Sequence, residues 1–298
     1  MKIFVTGATG FIGTNLIKRL INEDHEVICF VRDINKARRL LPNKCELLQS
    51  NAFDNHIIAA LETCDGVINL AGEPIIKRWT KANKKKIFES RVNLTKRLAR
   101  LIDKCNMKPS VFISGSAIGY YGDRDKEILE ELESWKPLGW LAYLCKEWEA
   151  AADTISPIRV VNLRTGIVLG NGGALKKMLL PFKLGLGGAL GNGKQWMSWI
   201  HIDDMVEIII SSLTNKWIEG PVNCVAPNPV INSEFTKRLG YTLRRPTIFP
   251  VPAFVLKLIF GDGASVLLDS QRVEPKALKD VGFQWRFRSL KRALEDLV

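Results

Sequence analysis

Three glycines at three-residue intervals, Gly7, Gly10 and Gly13 in FVTGATGFIG, have a spacing that can hold a pyrophosphate. The first allows a tight turn, the second a close backbone approach to phosphate, the third close packing of helix on strand. The loop residues Thr9, Gly10, Phe11 and Ile12 lead into a helix whose first N–H groups lack intrahelical partners and suit an anion. A glycine triplet alone says little. Here an apolar strand precedes it and an amphipathic helix follows, so the expected ligand is a dinucleotide.

The second strand-like run, EVICFV, ends at Val31, where dinucleotide binders often place an acid for the adenine-ribose 2′-OH. Valine cannot accept that bond. The next residue, Arg32, can fork onto a 2′-phosphate, and Asp33 beyond it faces solvent or caps a helix. NADP(H) is therefore the expected cofactor, with an ordinary surface arginine as the competing reading of Arg32.

These residues need elements to hold them. KIFVT (2–6), EVICFV (26–31), CELL (45–48), GVINL (66–70), SVFIS (110–114) and IRVVNL (158–163) read as strands. Most are continuously apolar, as strands covered on both faces are. Amphipathic segments alternate with them, the clearest at 94–105 with Leu94, Leu98, Leu101, Ile102 and Cys105 on one stripe. The pattern predicts an α/β fold: a Rossmann-like doubly wound parallel sheet with a smaller C-terminal substrate lobe. Residues 1–168 form the expected cofactor domain and 169–298 mostly the lobe, interleaved with the sheet near 199–226. Residues 170–199 read as a helix then a long loop, HIDDMVEIIISSL as a helix, and NSEFTKRLG as a capped helix closing at Gly240. Helices are also expected in VPAFVLKLIF and SLKRALEDLV, and a strand in GPVNCVA.

The 298 residues are 46% apolar and 25% charged, as in ordinary globular proteins. No apolar run approaches the roughly 18 residues of a membrane span, so no membrane partner is expected. From the start, MKIFVTGATG, no targeting peptide is expected, and the six cysteines lack metal-ligand spacing. With only three histidines, no metal is expected, and reduced cysteines in the cytoplasm are. The net charge of +12 favours phosphorylated ligands, nucleic acid or anionic membrane. Its densest run, KRWTKANKKK, fits a solvated helix face, and no nucleic-acid recognition motif accompanies it. Monomer and homodimer both stay open.

TGATGFIG, NLAG (69–72), SGSAIGYYGD (114–123), LRTGIVLG (163–170) and WIHIDD (199–204) occur in an order that resembles extended short-chain dehydrogenase/reductases. NLAGEPI, LCKEWEAAA, LLPFKLGLGG and WIHIDDM resemble more closely an atypical branch, the epimerase family proteins. The likeness runs the length of the chain and implies a Rossmann domain, an NADP(H) site and a small substrate lobe. It also implies cofactor contacts from Leu70, Ala71, Gly72, Arg91, Ser114 and Val168, with Gly166–Val168 near the nicotinamide. A surface salt bridge is the alternative for Arg91.

In better-known relatives a helical tyrosine is the acid/base, and a lysine four residues on lowers its pKa. Here Tyr143 and Lys146 are three apart. Aligning Glu149 with the relatives' glutamate puts Leu141 and Cys145 at the dyad positions, and the alternative register gives Ala142 and Lys146. Neither restores the dyad. Ser116 matches a serine that bonds substrate in relatives, or it simply turns the chain. Tyr120 and Tyr121 follow as candidate proton donors, so Ser116 and Tyr121 are the expected catalytic pair. Gln195, Trp196, Trp199 and Trp79 suit a cleft or an interlobe core, and His201 reads as structural. Two functions follow: an NADP(H)-dependent oxidoreductase or epimerase-like enzyme on a small polar, sugar-linked or similar substrate, or a non-catalytic NADP(H)-binding sensor or interaction protein.

Overall fold

The structure, a computed structural model, describes residues 1–132 and 136–298. Seven strands, β1 (Lys2–Thr6), β2 (Glu26–Val31), β3 (Glu46–Gln49), β4 (Gly66–Asn69), β5 (Val111–Ala117), β7 (Arg159–Thr165) and β11 (Gly220–Cys224), form one sheet. Their order is β11-β7-β5-β4-β1-β2-β3 and every pairing is parallel. The order reverses beside β1, which opens a crevice at the strands' carboxyl ends.

Side chains alternate across the sheet. Ile3 and Val5 of β1 face one side, with α1 (Phe11–Asn22), α2 (Ile34–Leu40) and α8 (Ile202–Thr214) supplying Leu16, Ala37 and Ile208. Phe4 faces the other, with α3 (Asp54–Glu62), α5 (Leu94–Asp103) and α6 (Gly139–Ala152) supplying Ile57, Leu98 and Ala152. Between α3 and α5, α4 (Lys81–Phe88) runs into a π-helical turn at Glu89–Asn93. Each of these fully buried leucines and phenylalanines contributes about 1.5–3 kcal/mol.

The remaining elements lie outside the large sheet, most of them in the C-terminal half of the chain. They are short strands β6 (Ile128–Leu129), β8 (Ile167–Leu169), β9 (Trp196–Met197), β10 (Trp199–His201), β12 (Val230–Ile231) and β13 (Arg272–Val273). The helices are α7 (Gly173–Lys183), α9 (Asn232–Leu243), α10 (Ala253–Phe260), α11 (Ser265–Leu268), α12 (Lys276–Asp280) and α13 (Leu290–Leu297). A separate core of Leu175, Trp199, Phe235, Leu239 and Leu294 holds α7, α9 and α13 together. Beyond β10 the chain returns to the large sheet, laying α8 on its face and β11 on its edge.

Three sequence expectations need correction. The fifth strand runs to Ala117 and β7 to Thr165, because pairing between them continues to those residues. The expected loop before His201 contains β9 and β10, paired with β12 and β8. Helix α9 carries no side-chain cap and passes through Gly240, ending at left-handed Arg244 (φ 54°). Gly240 serves close packing instead: a Cβ there would lie 2.3 Å from Thr247 Cγ2.

Candidate functional site

The glycine loop joins β1 to α1 in a cradle closed by backbone. Gly7 has φ +72°, and a Cβ on it would stand 2.5 Å from the carbonyl of Leu70. A Cβ on Gly13 would stand 2.2 Å from Gly7 O, so no other residue fits beneath the turn. Gly10 N–H donates to Gly7 O at 2.9 Å. No side chain caps α1, and its first-turn N–H groups open on the crevice side of the loop. Thr9, Phe11 and Ile12 are half-buried; the Phe11 ring fills the space left by Gly170, Gly172 and Gly173.

Val31 is buried at the end of β2, and Arg32 after it is exposed. Asp33 caps α2, accepting from Lys36 N at 2.9 Å, which resolves its two expected roles in favour of the cap. Arg32 has no hydrogen-bond or ion-pair partner among the described residues. Its charge nevertheless reaches Glu73, whose carboxyl Lys77 holds below the usual range, with Arg32 and Lys86 adding.

The segment after β4 is fixed by a buried polar chain that sequence reading missed. Thr6 Oγ1 donates to Asn69 Oδ1 at 2.6 Å, and Asn69 Nδ2 to Thr95 Oγ1 at 2.8 Å. Trp148 Nε1 donates to the same Thr95 oxygen at 3.1 Å, while Ala71 N donates to Thr6 Oγ1 at 3.2 Å. Leu70, Ala71 and Gly72 are thereby held at the crevice. The π-helical turn re-aims Arg91 toward them, as such turns often do at functional sites. A Cβ on Gly72 would be 2.9 Å from the Arg91 guanidinium, which donates to Glu73 O at 2.9 Å and lies 5.3 Å from the Trp148 ring centre. Arg91 makes no ion pair among the described residues. Burial lowers its pKa, with Cys145 and Glu73 opposing.

Ser114 was expected at a strand end. It lies inside β5, fully buried, paired in register with Asn69 and Asn162. Val168 lies in β8 beside Ile200, half-buried.

On the other side of the crevice the polar groups engage one another. Ser116 Oγ donates to Glu149 Oε1 at 2.6 Å. Arg164, opposite Ser116 in β7, grips the same carboxylate with Nε and Nη2 at 3.0 and 2.9 Å. Burial opposes the Arg164 charge, but Glu149 outweighs it and raises the pKa. Arg164 Nη1 donates to Tyr121 Oη at 3.1 Å, and Tyr121 Oη donates to Asn223 Oδ1 at 2.7 Å. Its guanidinium also lies 3.6 Å from the centre of the Tyr120 ring.

This arrangement corrects the expected role of Tyr121. The residue is fully buried, and burial raises its phenol pKa despite Arg164 and Asn223. It is a poor proton donor to anything in the crevice. Ser116 also changes role: a hydroxyl has one hydrogen, and Glu149 takes it, so Ser116 can accept from a ligand but not donate.

A cleft of about 680 Å³ lies between the loop after Tyr121 and the lobe, lined by Asp123, Asn192, Gln195, Lys257, Ser265 and Asp269 among others. Gln195 Nε2 donates to Leu190 O and Leu267 O at 3.1 and 3.2 Å, leaving the amide oxygen as its remaining acceptor. Asp269 is pushed up to about 6 by burial, with Asp123 adding. Trp199 belongs to the lobe core, donating to Asn228 O, and Trp79 packs edge-on against Trp140 at 4.8 Å. His201 is structural: Nδ1 accepts from Asp203 N, the ring stacks on Phe287 at 3.8 Å, and burial lowers its pKa.

Residues 3–224 match the NAD dependent epimerase/dehydratase family, and residues 251–297 match a domain of unknown function, DUF1731. The chain belongs to that epimerase/dehydratase family. It is 39% identical over its whole length to the Arabidopsis thaliana epimerase family protein SDR39U1 homolog, chloroplastic, of which it covers 87%. Human epimerase family protein SDR39U1 is 35% identical, with both chains fully covered. A crystal structure of the human protein with NADPH superposes with a TM-score of 0.89 at 34% identity, covering 100% of this chain and 99% of that one. A nucleoside-diphosphate sugar epimerase from Corynebacterium glutamicum gives 0.78 at 32% identity, over 99% of this chain and 57% of that one.

Helix α6 does not gather a phenol and an amine at the crevice. Leu141 rests on Gly119, and Cys145 is buried with its thiol pushed up to about 12 by burial, Glu149 adding. Tyr143 stacks outward on Phe88 at 6.5 Å and is 46% exposed, while Lys146 is exposed too. The phenol and amine three residues apart do not converge on the crevice.

Proposed function

We propose that the protein binds NADP(H) and acts on a small hydroxyl-bearing molecule in the interlobe cleft, as an oxidoreductase or epimerase-like enzyme. One observation carries the cofactor: at the end of β2, Arg32 makes no hydrogen bond or ion pair among the described residues. The tight glycine turn, closed beneath by backbone at Gly7 and Gly13, and the uncapped first turn of α1 fit a pyrophosphate, and Arg32 fits the 2′-phosphate. Bound there, NADP(H) would supply a hydride acceptor or donor. Arg91 and the Leu70–Gly72 segment orient it. Gln195 offers its amide oxygen to substrate hydroxyls, and Asp123 and Asp269 give the cleft an acceptor-rich wall. The expected compartment is the cytoplasm, in keeping with six free cysteines.

A second reading, a cofactor-binding protein without turnover, is favoured by helix α6, where neither register sets a tyrosine and a lysine at the dyad positions. Titration with both cofactors tests the shared part. One or two charge-assisted bonds predict on the order of 10- to 1,000-fold preference for NADP(H). Equal affinities would remove the cofactor assignment. Hydride turnover across a panel of polyols and hydroxy acids then separates the readings, its complete absence leaving the binding protein.

A further inference from the structure

One buried side chain ties the walls of the cleft together. Ser270 N–H donates to Asp123 Oδ1 at 3.0 Å, and its hydroxyl donates to Asp125 O. The same hydroxyl accepts from Trp196 N at 3.0 Å, and Gln271 Nε2 donates to Gly122 O at 3.1 Å. Three segments far apart in sequence therefore meet at Ser270: 122–125, 195–196 and 269–271. Each contributes a polar residue to the cleft lining: Asp123 from the first, Gln195 from the second, Asp269 from the third.

These three are acceptors to which the protein supplies few donors. Asp269 makes no side-chain hydrogen bond or ion pair among the described residues, and both burial and Asp123 oppose its negative charge. Asp262 on the same lining is already paired with Lys84 at 2.8 Å, whereas Lys257 forms no ion pair among the described residues. Gln195 is only 7% exposed, yet one end of its amide is unused. Nε2 commits both hydrogens to Leu190 O and Leu267 O, which fixes the orientation of the amide and leaves its oxygen for a ligand. Half-buried carboxylates side by side require a counter-charge. Among the described residues no group of three His, Cys, Asp or Glu side chains is placed to hold a metal ion. An ammonium, compact and with three N–H donors, serves two carboxylates at once, and a hydroxyl beside it serves an amide oxygen.

We propose that the cleft takes a hydroxylated primary amine, of the amino sugar or amino alcohol class, its ammonium held by Asp123 and Asp269 and a neighbouring hydroxyl donating to Gln195. This rests on the reading of the cleft as the substrate site and narrows its chemical class. Further ligand oxygens fall to Asn192, which lines the same space. Its Oδ1 accepts from Lys194 N at 2.9 Å, leaving the amide hydrogens to donate. In a chain of net charge +12 the ammonium is held by these short-range contacts and not drawn in by the field of the whole molecule.

Titration calorimetry of the NADPH-loaded protein with glucosamine, its disaccharide, N-acetylglucosamine and glucose tests it. Acetylation removes the charge and keeps the ring hydroxyls. At least one free amine should bind about tenfold or more tightly than its uncharged counterparts, the worth of one charge-assisted hydrogen bond. Asp269→Asn and Asp123→Asn keep shape and remove charge, so each should erase about tenfold of that preference. Thermal unfolding and NADPH titration, unimpaired in at least one of the two, identify the loss as specific to the cleft. Equal binding of glucose and glucosamine overturns the amine assignment and leaves the cleft as a site for hydroxylated substrates. Amine binding that survives both substitutions overturns the placement. Calcium binding abolished by Asp269→Asn, without amine binding, overturns it in favour of a metal ion. Where none of the four probes binds, the amine assignment falls, and turnover of polyols alone decides whether the cleft is the substrate site.

Discussion

The crevice has two walls of different character. On the β1–β4 wall, no side chain caps the start of α1, Arg32 makes no hydrogen bond or ion pair among the described residues, and the Arg91 guanidinium is held by carbonyls rather than carboxylates. On the β5–β7 wall, Ser116, Glu149, Arg164, Tyr121 and Asn223 engage one another in a closed cluster. Both walls carry charged and hydroxyl side chains in sequence motifs of similar appearance. Partnership separates them, because a side chain whose hydrogen bonds are already made inside the protein has little left for a ligand.

Substitutions on each wall sharpen that contrast. Glu149→Ala leaves Arg164 buried and unpaired and should cost about 3–5 kcal/mol of stability. Urea unfolding measures this, and NADPH affinity of the folded fraction should change little. A stable variant that loses NADPH would reverse the assignment of the two walls. Next in size, Gly13→Ala forces a Cβ against Gly7 O; overpacking of this kind costs about 1–3 kcal/mol. Unlike Glu149→Ala, it should also impair NADPH binding at temperatures where the protein stays folded.

Arg32→Ala should lower NADP(H) affinity by about tenfold, or about 1.4 kcal/mol, and leave the weak NAD(H) affinity largely intact. Its unfolding midpoint should stay within about 0.5 kcal/mol of wild type, as for surface substitutions generally. Loss of both cofactors together would make Arg32 part of the fold.

The smallest effect lies in the cleft. Asp269 titrates at about 6 in the folded protein, above its ordinary value, so the fold binds its proton more tightly than the unfolded chain does. That contribution is present in full below about pH 4 and lost as pH rises through about 6. Asp269→Asn should therefore raise the melting temperature at about pH 8 and leave it unchanged near pH 4. With solvent reaching the group, the gain is on the order of 1 kcal/mol. An equal gain at both pH values would trace it to packing instead of charge.

The glycine loop was legible in sequence because its demands are local: Gly7 and Gly13 are required by backbone atoms in or beside the same turn. The place of Arg32, exposed at the end of β2, was legible because a strand end has a fixed position in a doubly wound sheet. The Glu149–Arg164 clamp was not, since helix α6 and strand β7 must first pack. One signal was available: Arg164 is a charge inside the apolar run VVNLRTGIV, and a buried charge requires a partner. Tyr121 misled for the same reason, its hydroxyl being claimed by Asn223, 102 residues away. No sequence pattern announced the π-helical turn at Arg91.

Between β7 and β8 stands a single residue, Gly166, where the chain leaves the large sheet and enters the lobe. A Cβ there would meet Ser198 O at 2.5 Å, and Gly166 N–H donates to Cys224 O at 3.1 Å. The junction therefore has no slack to act as a hinge. Opening the cleft by swinging one lobe on the other would tear hydrogen bonds of both sheets at once. Partial digestion should accordingly nick the lobe's loops without releasing a separable cofactor half, and recombining halves from two relatives at this point would demand that both sides of the seam be exchanged together.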